Sequence, residues 1–224
     1  MTYREEQIGD CRLILGDCRD ILPTLGPVDA VVTDPPYGLG DKMQGGTWGL
    51  KRADDMKVWD AVTPTKAVLG LLELGPCIIW GGNYYPLPPS RGWLAWVKPD
   101  APPTLGQFEL AWMSIDHRAK LLSHSINQNS REGNGHPTEK PLRLMKWCLG
   151  FVPEAQTILD PFMGSGTTGV ACAHLGRSFI GIEREPSYFD IACRRIEEAY
   201  RQPRLFSEPE PKPVQATISF EVSE

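Results

Sequence analysis

A chain of 224 residues is long enough for one large core, and its formal net charge of −5 argues against a pure nucleic-acid-binding module. With 41% hydrophobic and 23% charged residues it has the composition of a soluble globular protein, and no apolar run approaches the ~20 residues of a membrane span. The first residues, "MTYREEQIGD", lack the apolar centre of a secretory leader, so a cytoplasmic location without a membrane partner is expected. Six scattered cysteines (Cys11, Cys18, Cys77, Cys148, Cys172, Cys193) form no CxxC pair, which points to buried reduced thiols and to neither a metal centre nor a disulfide frame.

In chain order, "CRLIL" (residues 11–15) reads as a short strand, followed by Gly16-Asp17-Cys18 and a helix to about Leu25. The next strand, "AVVTD", leaves the core through Asp34-Pro35-Pro36-Tyr37. A polar, glycine-rich segment, "GLGDKMQGGTWGLKRADDMKVWD", is too irregular for a regular element and too charged to be buried. A helix is expected from Pro64 to Leu74, then strands in "PCIIWGGN", "WLAWVK" and "FELAWM". Trp80, Trp93, Trp96 and Trp112 sit in or beside these runs and are expected in the core.

Residues 114–135 are polar and rich in turn formers. Helical spacing resumes at Pro141, with Leu142, Met145 and Leu149 on one face and Gly150 as the stop. "TILDPFMGSGTTGVACAHLG" reads as strand, glycine-rich turn and short helix closed by Gly176. "SFIGIE" is a further strand, and Pro186 opens a helix with Tyr188, Ala192, Ile196 and Ala199 on one face. Residues 203–224 form a Pro/Glu-rich tail without periodicity, in which only "TISFEV" alternates as an edge strand would. Alternating strands and helices make the fold α/β with a mostly parallel sheet, as a single domain over residues 1–202.

Two stretches carry chemistry. Gly164-Ser165-Gly166-Thr167-Thr168-Gly169 fits GxGxxG between a strand and a helix, where backbone amides can approach an anionic ligand closely. Glu183 ends the next strand, about 20 residues on, placed to accept hydrogen bonds from ribose hydroxyls. A nicotinamide enzyme would use the same arrangement. Asp34–Tyr37 separates the readings: the prolines hold a rigid turn, Asp34 and the Pro35 carbonyl offer two acceptors, and Tyr37 offers a flat face to a base. His136, His117, His124 and His174 show no zinc-ligand spacing.

These residues resemble the amino-methylating DNA methyltransferases that use S-adenosylmethionine, with the motif order of their β-group. Asp34–Tyr37 matches the catalytic DPPY, and "DPFMGSG" (Asp160, Pro161, Phe162, Gly164, Ser165, Gly166) matches the methionine-binding motif, with Thr167 following. "GIERE" carries the ribose-binding acid Glu183 beside Arg184, and "GDC" resembles the acid that reaches the cofactor's adenine, Asp17 with Cys18. "HPTEKP" matches the segment before the cofactor strand and places Thr138 and Lys140 among cofactor-binding residues.

The resemblance implies a class I, Rossmann-like methyltransferase fold. Its sheet would have about seven mostly parallel strands, circularly permuted, with helices on both faces. It further implies methyl transfer from S-adenosylmethionine to the N6 amino group of adenine in double-stranded DNA, the base being flipped out. N4-cytosine methylation is the alternative within the class, and a nicotinamide-dependent oxidoreductase the alternative outside it. Lys42, Lys51 and Arg52, in the segment after Tyr37, are candidate phosphate contacts, and that segment is expected to become ordered over the flipped base. Arg118, Lys120, Asn127, Gln128 and Arg131, within residues 114–135, are candidates for reading a short target sequence. No separate recognition domain fits in that length. The sequence leaves open a homodimer and a restriction endonuclease partner.

Overall fold

The computed structural model describes residues 3–39, 63–102, 106–126 and 139–201. Nine strands among them form one sheet: β1 (Arg4–Ile8), β2 (Cys11–Leu15), β3 (Ala30–Thr33), β4 (Cys77–Trp80), β5 (Trp93–Val97), β6 (Phe108–Met113), β7 (Lys120–Ser123), β8 (Thr157–Asp160) and β9 (Ser178–Glu183). Their spatial order is β1-β2-β9-β8-β3-β4-β6-β5-β7. The last two strands in sequence therefore insert between β2 and β3, which is the permuted arrangement that the motif order implies. The run β2-β9-β8-β3-β4 is parallel throughout, β6 runs antiparallel to both its neighbours, and β7 is parallel to β5.

The sheet is wider than the expected seven strands because two polar edge strands escape a reading based on apolar runs. β1, "REEQI", is largely exposed and pairs antiparallel with β2, where Arg12 donates twice to the Glu5 carboxylate at 2.9 Å. β7, "KLLS", lies within the segment expected to be turns. Both carry the charged side chains that keep exposed strand edges from pairing further.

Alternation along β3 shows how the two faces are filled. Ala30 and Val32 enter a core shared with helices α3 (Leu142–Leu149), α4 (Thr167–Leu175) and α5 (Pro186–Arg201). Val31 points to the opposite face, where α2 (Thr65–Gly70) contributes Val68. The short α1 (Cys18–Ile21) packs Cys18 and Ile21 on that second face, against Ile14 and Ile182. The helices expected to reach Leu25 and Leu74 each end in a 3-10 turn instead, at Leu22–Thr24 and Leu71–Glu73. Trp80, Trp96 and Trp112 are buried, and Trp93 is partly so.

Helix α5 buries Phe189, Ala192, Ile196 and Ala199. Phe189 thus replaces Tyr188 on the expected apolar face, and Tyr188 lines the cavity described below. Gly166 has φ +82 at the N-terminus of α4, a conformation suited to glycine, and a Cβ at Gly169 would stand 2.5 Å from Ile196 Cδ1. The glycine turn therefore also sets how closely α4 and α5 can pack. Five of the six cysteines are buried and Cys193 is partly exposed; all are free thiols. No helix among the described residues is long and apolar enough to cross a membrane.

Candidate functional site

Parallel strands deliver their carboxyl ends to one side of the sheet, and the chain places its polar motifs there. Asp17 follows β2, Asp34 follows β3, Asp160 closes β8 and Glu183 closes β9. A cavity of about 650 Å³ opens between them, lined among others by Gly16–Cys18, Asp34, Pro36, Lys140, Asp160–Ser165, Thr167, Glu183 and Arg184. That volume lies within the roughly 300–1,000 Å³ of small-molecule sites.

On one side of the cavity the glycine turn is tightly braced. Glu183 Oε2 accepts the Gly164 amide at 3.0 Å, and Oε1 accepts that of Glu185 at 2.8 Å. Each oxygen retains a lone pair for a further donor. Burial raises the Glu183 pKa against the pull of these amides.

Asp160, which lines the cavity, also braces the sheet. Its carboxylate accepts Thr33 Oγ1 at 2.7 Å, Thr168 Oγ1 at 2.7 Å and the Phe162 amide at 3.1 Å, tying β3 to β8 and α4. Burial pushes its pKa up to about 6. Asp17 caps α1 through the Arg19 amide, and the Arg19 side chain holds the same carboxylate, depressing its pKa. Arg195, on α5, donates to the Ser165 carbonyl at 2.8 Å and to Thr167 Oγ1 at 3.1 Å, and forms an ion pair with Glu139.

The corner after β3 forms the other side. The Tyr37 hydroxyl donates to Asp34 Oδ1 at 2.6 Å, and the Tyr85 hydroxyl donates to the Pro36 carbonyl. The Lys140 ammonium reaches Asp34 Oδ2 at 2.6 Å, Glu109 Oε2 at 3.0 Å and the Tyr37 oxygen at 3.2 Å. Lys98 completes the group by pairing with Glu109 Oε1. Two carboxylates and two ammonium groups thus meet largely out of water, an arrangement that is tolerable only because each charge has an opposite neighbour. Burial opposes the Lys140 charge, yet Asp34 and Glu109 raise its pKa. Burial would also raise the Glu109 pKa, but Lys140 and Lys98 outweigh it and bring it to about 2.

The structure brings together most of the residues that the motifs single out. Lys140, expected on the cofactor side, has its ammonium on Asp34. Pro35 is buried, and Tyr37 is not open on all sides: its ring stacks on that of Tyr84 at 5.0 Å and 21°. Arg118 and Lys120 are exposed at the β7 edge, four strands from β3. At the usual strand spacing that is roughly 19 Å away, so the structure does not bring them to the corner. Thr138, Lys42, Lys51, Arg52, Asn127, Gln128, Arg131 and His136 lie outside the described residues, as does the tail.

Glu109, Lys98, Arg195 and Tyr84 carry no motif and were legible only in part, and Glu139 lies within "HPTEKP" without having been singled out. A lone glutamate in the apolar strand "FELAWM" needs a buried partner, and that is the available signal. No cluster of metal-ligating side chains occurs among the described residues.

A family profile described as DNA methylase (N6_N4_Mtase) matches residues 57–194. Type II methyltransferase M2.DpnII of Streptococcus pneumoniae is 52% identical over 63 residues, covering 28% of this chain and 24% of that protein. M2.MboI of Moraxella bovis is 30% identical over 133 residues, covering 47% of this chain and 49% of that protein. The matched segments thus span at most about half the length of these relatives. Among solved structures, the M1.HpyAVI–SAM complex aligns with TM-score 0.51 and 24% identity, over 83% of this chain and 98% of that one. The cytosine-N4-specific PvuII DNA methyltransferase aligns with TM-score 0.55 and 15% identity, over 87% and 93%. These two likenesses establish a shared fold.

Proposed function

The chain belongs to the N6/N4 family of DNA methylases, and from that premise we propose that it transfers a methyl group from S-adenosylmethionine to the N6 amino group of adenine in DNA. The observation that carries this reading is the placement of Asp34 on the same cavity as Glu183 and the glycine turn. A group suited to hold an amino nitrogen and a group suited to hold a ribose thus face one space.

The residues present fit S-adenosylmethionine. Glu183 would take the ribose hydroxyls, the turn at Gly164–Gly166 the methionine end, and the Asp17–Cys18 segment the adenine. When bound, this cofactor would supply a methyl group on a sulfonium, to be taken up by the amino lone pair with the sulfur released as a neutral thioether. Asp34 and the Pro35 carbonyl accept the two amino hydrogens, which directs that lone pair away from the ring and towards the methyl carbon. Asp34 then takes the proton that the alkylated nitrogen must lose. Orientation of this kind can account for ~7–11 kcal/mol of barrier reduction, and no covalent link between enzyme and base is needed.

Tyr84 is 44% exposed and stacked on Tyr37, so the aromatic surface offered to a flipped base is Tyr84 backed by Tyr37. Asp34, where N4-cytosine enzymes resembling this family more often have serine, supports adenine. Double-stranded DNA is then the macromolecular substrate. A short recognition element within residues 114–135 reads a short target, its candidates being Arg118, Lys120, Asn127, Gln128 and Arg131.

Calorimetry distinguishes this reading from that of a nicotinamide enzyme. Saturable binding of S-adenosylmethionine, with no heat from NAD under the same conditions, is expected. The reverse pattern would discard the methyltransferase reading.

A further inference from the structure

In the structure the carboxylate that must receive the substrate is already engaged. Tyr37 donates to Asp34 Oδ1 and the Lys140 ammonium to Oδ2, at 2.6 Å each. A carboxylate that shares its charge with an ammonium group is a weaker acceptor for a neutral amino group. Lys140 is 7% exposed, so its ammonium cannot simply withdraw into water.

We propose that Glu109 is a positioning residue that receives the Lys140 ammonium when Asp34 turns to the substrate amino group, an inference that rests on the amino-methylation reading. The distances suit an exchange between two seats. Lys140 Nζ lies 3.0 Å from Glu109 Oε2 while still 2.6 Å from Asp34 Oδ2, so a small displacement changes which carboxylate dominates. Glu109 is itself held. Its residue is in register with Trp96 on β5, its Oε1 pairs with Lys98, and the Lys98 ammonium sits 4.5 Å from the centre of the Trp96 ring. The second seat is therefore fixed, charged and always present. Lys140 stays paired whether or not a base is in the corner, and Asp34 alone changes partner.

Glu109→Gln removes the charge of that seat and leaves the side-chain volume nearly unchanged. The expected result is a fall of about 10-fold or more in kcat for DNA methylation, with S-adenosylmethionine affinity within about 2-fold of wild type, because Lys140 then holds Asp34. Adding Lys140→Met to Glu109→Gln is expected to recover part of the lost rate, since the competing ammonium is gone. Glu109→Asp keeps the charge and should lose less rate than Glu109→Gln, which provides a test should the glutamine variant fold poorly. Wild-type kcat in Glu109→Gln, or a loss that neither Lys140→Met nor Glu109→Asp relieves, overturns the inference. A wild-type chain that binds the cofactor but methylates no DNA overturns the amino-methylation reading, and this inference with it.

Discussion

Asp34→Ala is expected to lower kcat for methyl transfer by at least about 100-fold, while S-adenosylmethionine affinity stays within a few-fold of wild type. The size of the effect follows from what is removed, an acceptor aimed at an amino group and held in place by Tyr37 and Lys140, so that it is preorganised for the reaction. The separation of the two readouts follows from geometry, because Glu183 and the glycine turn do not depend on the Asp34 carboxylate for their hydrogen bonds. The variant should also fold, since the Lys140 ammonium keeps Glu109 at 3.0 Å. Single-turnover methylation and calorimetry on the same preparation check both halves. Near-normal turnover would take Asp34 out of the catalytic role.

Glu183→Ala is expected to weaken S-adenosylmethionine binding by about 10- to 100-fold, the loss of roughly 1.5–3 kcal/mol for a hydrogen bond to a charged group. Glu183 also accepts the Gly164 amide, so the alanine variant loses both a ligand contact and a brace of the turn. Glu183→Gln separates the two, since its side-chain carbonyl can still accept one of these donors. A smaller affinity loss in Gln than in Ala, with Ala melting below wild type and Gln closer to it, is the expected pattern in calorimetry and thermal denaturation. Unchanged affinity in the alanine variant would mean that the ribose partner lies elsewhere.

Where periodicity and turn chemistry agree, the sequence was readable. The buried runs "AVVT", "CIIW" and "TILD" became central parallel strands, and the glycine turn fell between β8 and α4 as its spacing required. The edge strands β1 and β7 were not legible, because an exposed strand needs no apolar alternation and its composition is that of a loop. In α5 the exchange of Tyr188 for Phe189 is one position, within the angular tolerance of a helical stripe.

The site divided along a similar line. Residues that motif geometry singles out came to line one cavity. Residues that act through another side chain were not legible, since Glu109 and Lys98 reach Lys140 only because β6 and β5 are paired in one register. Asp160 does both: it lines the cavity where its motif puts it, and its oxygens accept from Thr33, Thr168 and the Phe162 amide.

The central claim is that this chain places a methyl group on an exocyclic amino nitrogen of DNA. Its most direct test is incubation of the purified protein with unmethylated plasmid and S-adenosylmethionine, followed by sequencing that detects modified bases. N6-methyladenine recurring at a short target, and absent when Asp34→Ala replaces the wild type, is the predicted result. N4-methylcytosine at such a target would overturn the choice of adenine alone. Unmodified DNA, or methylation at cytosine C5, would contradict the account.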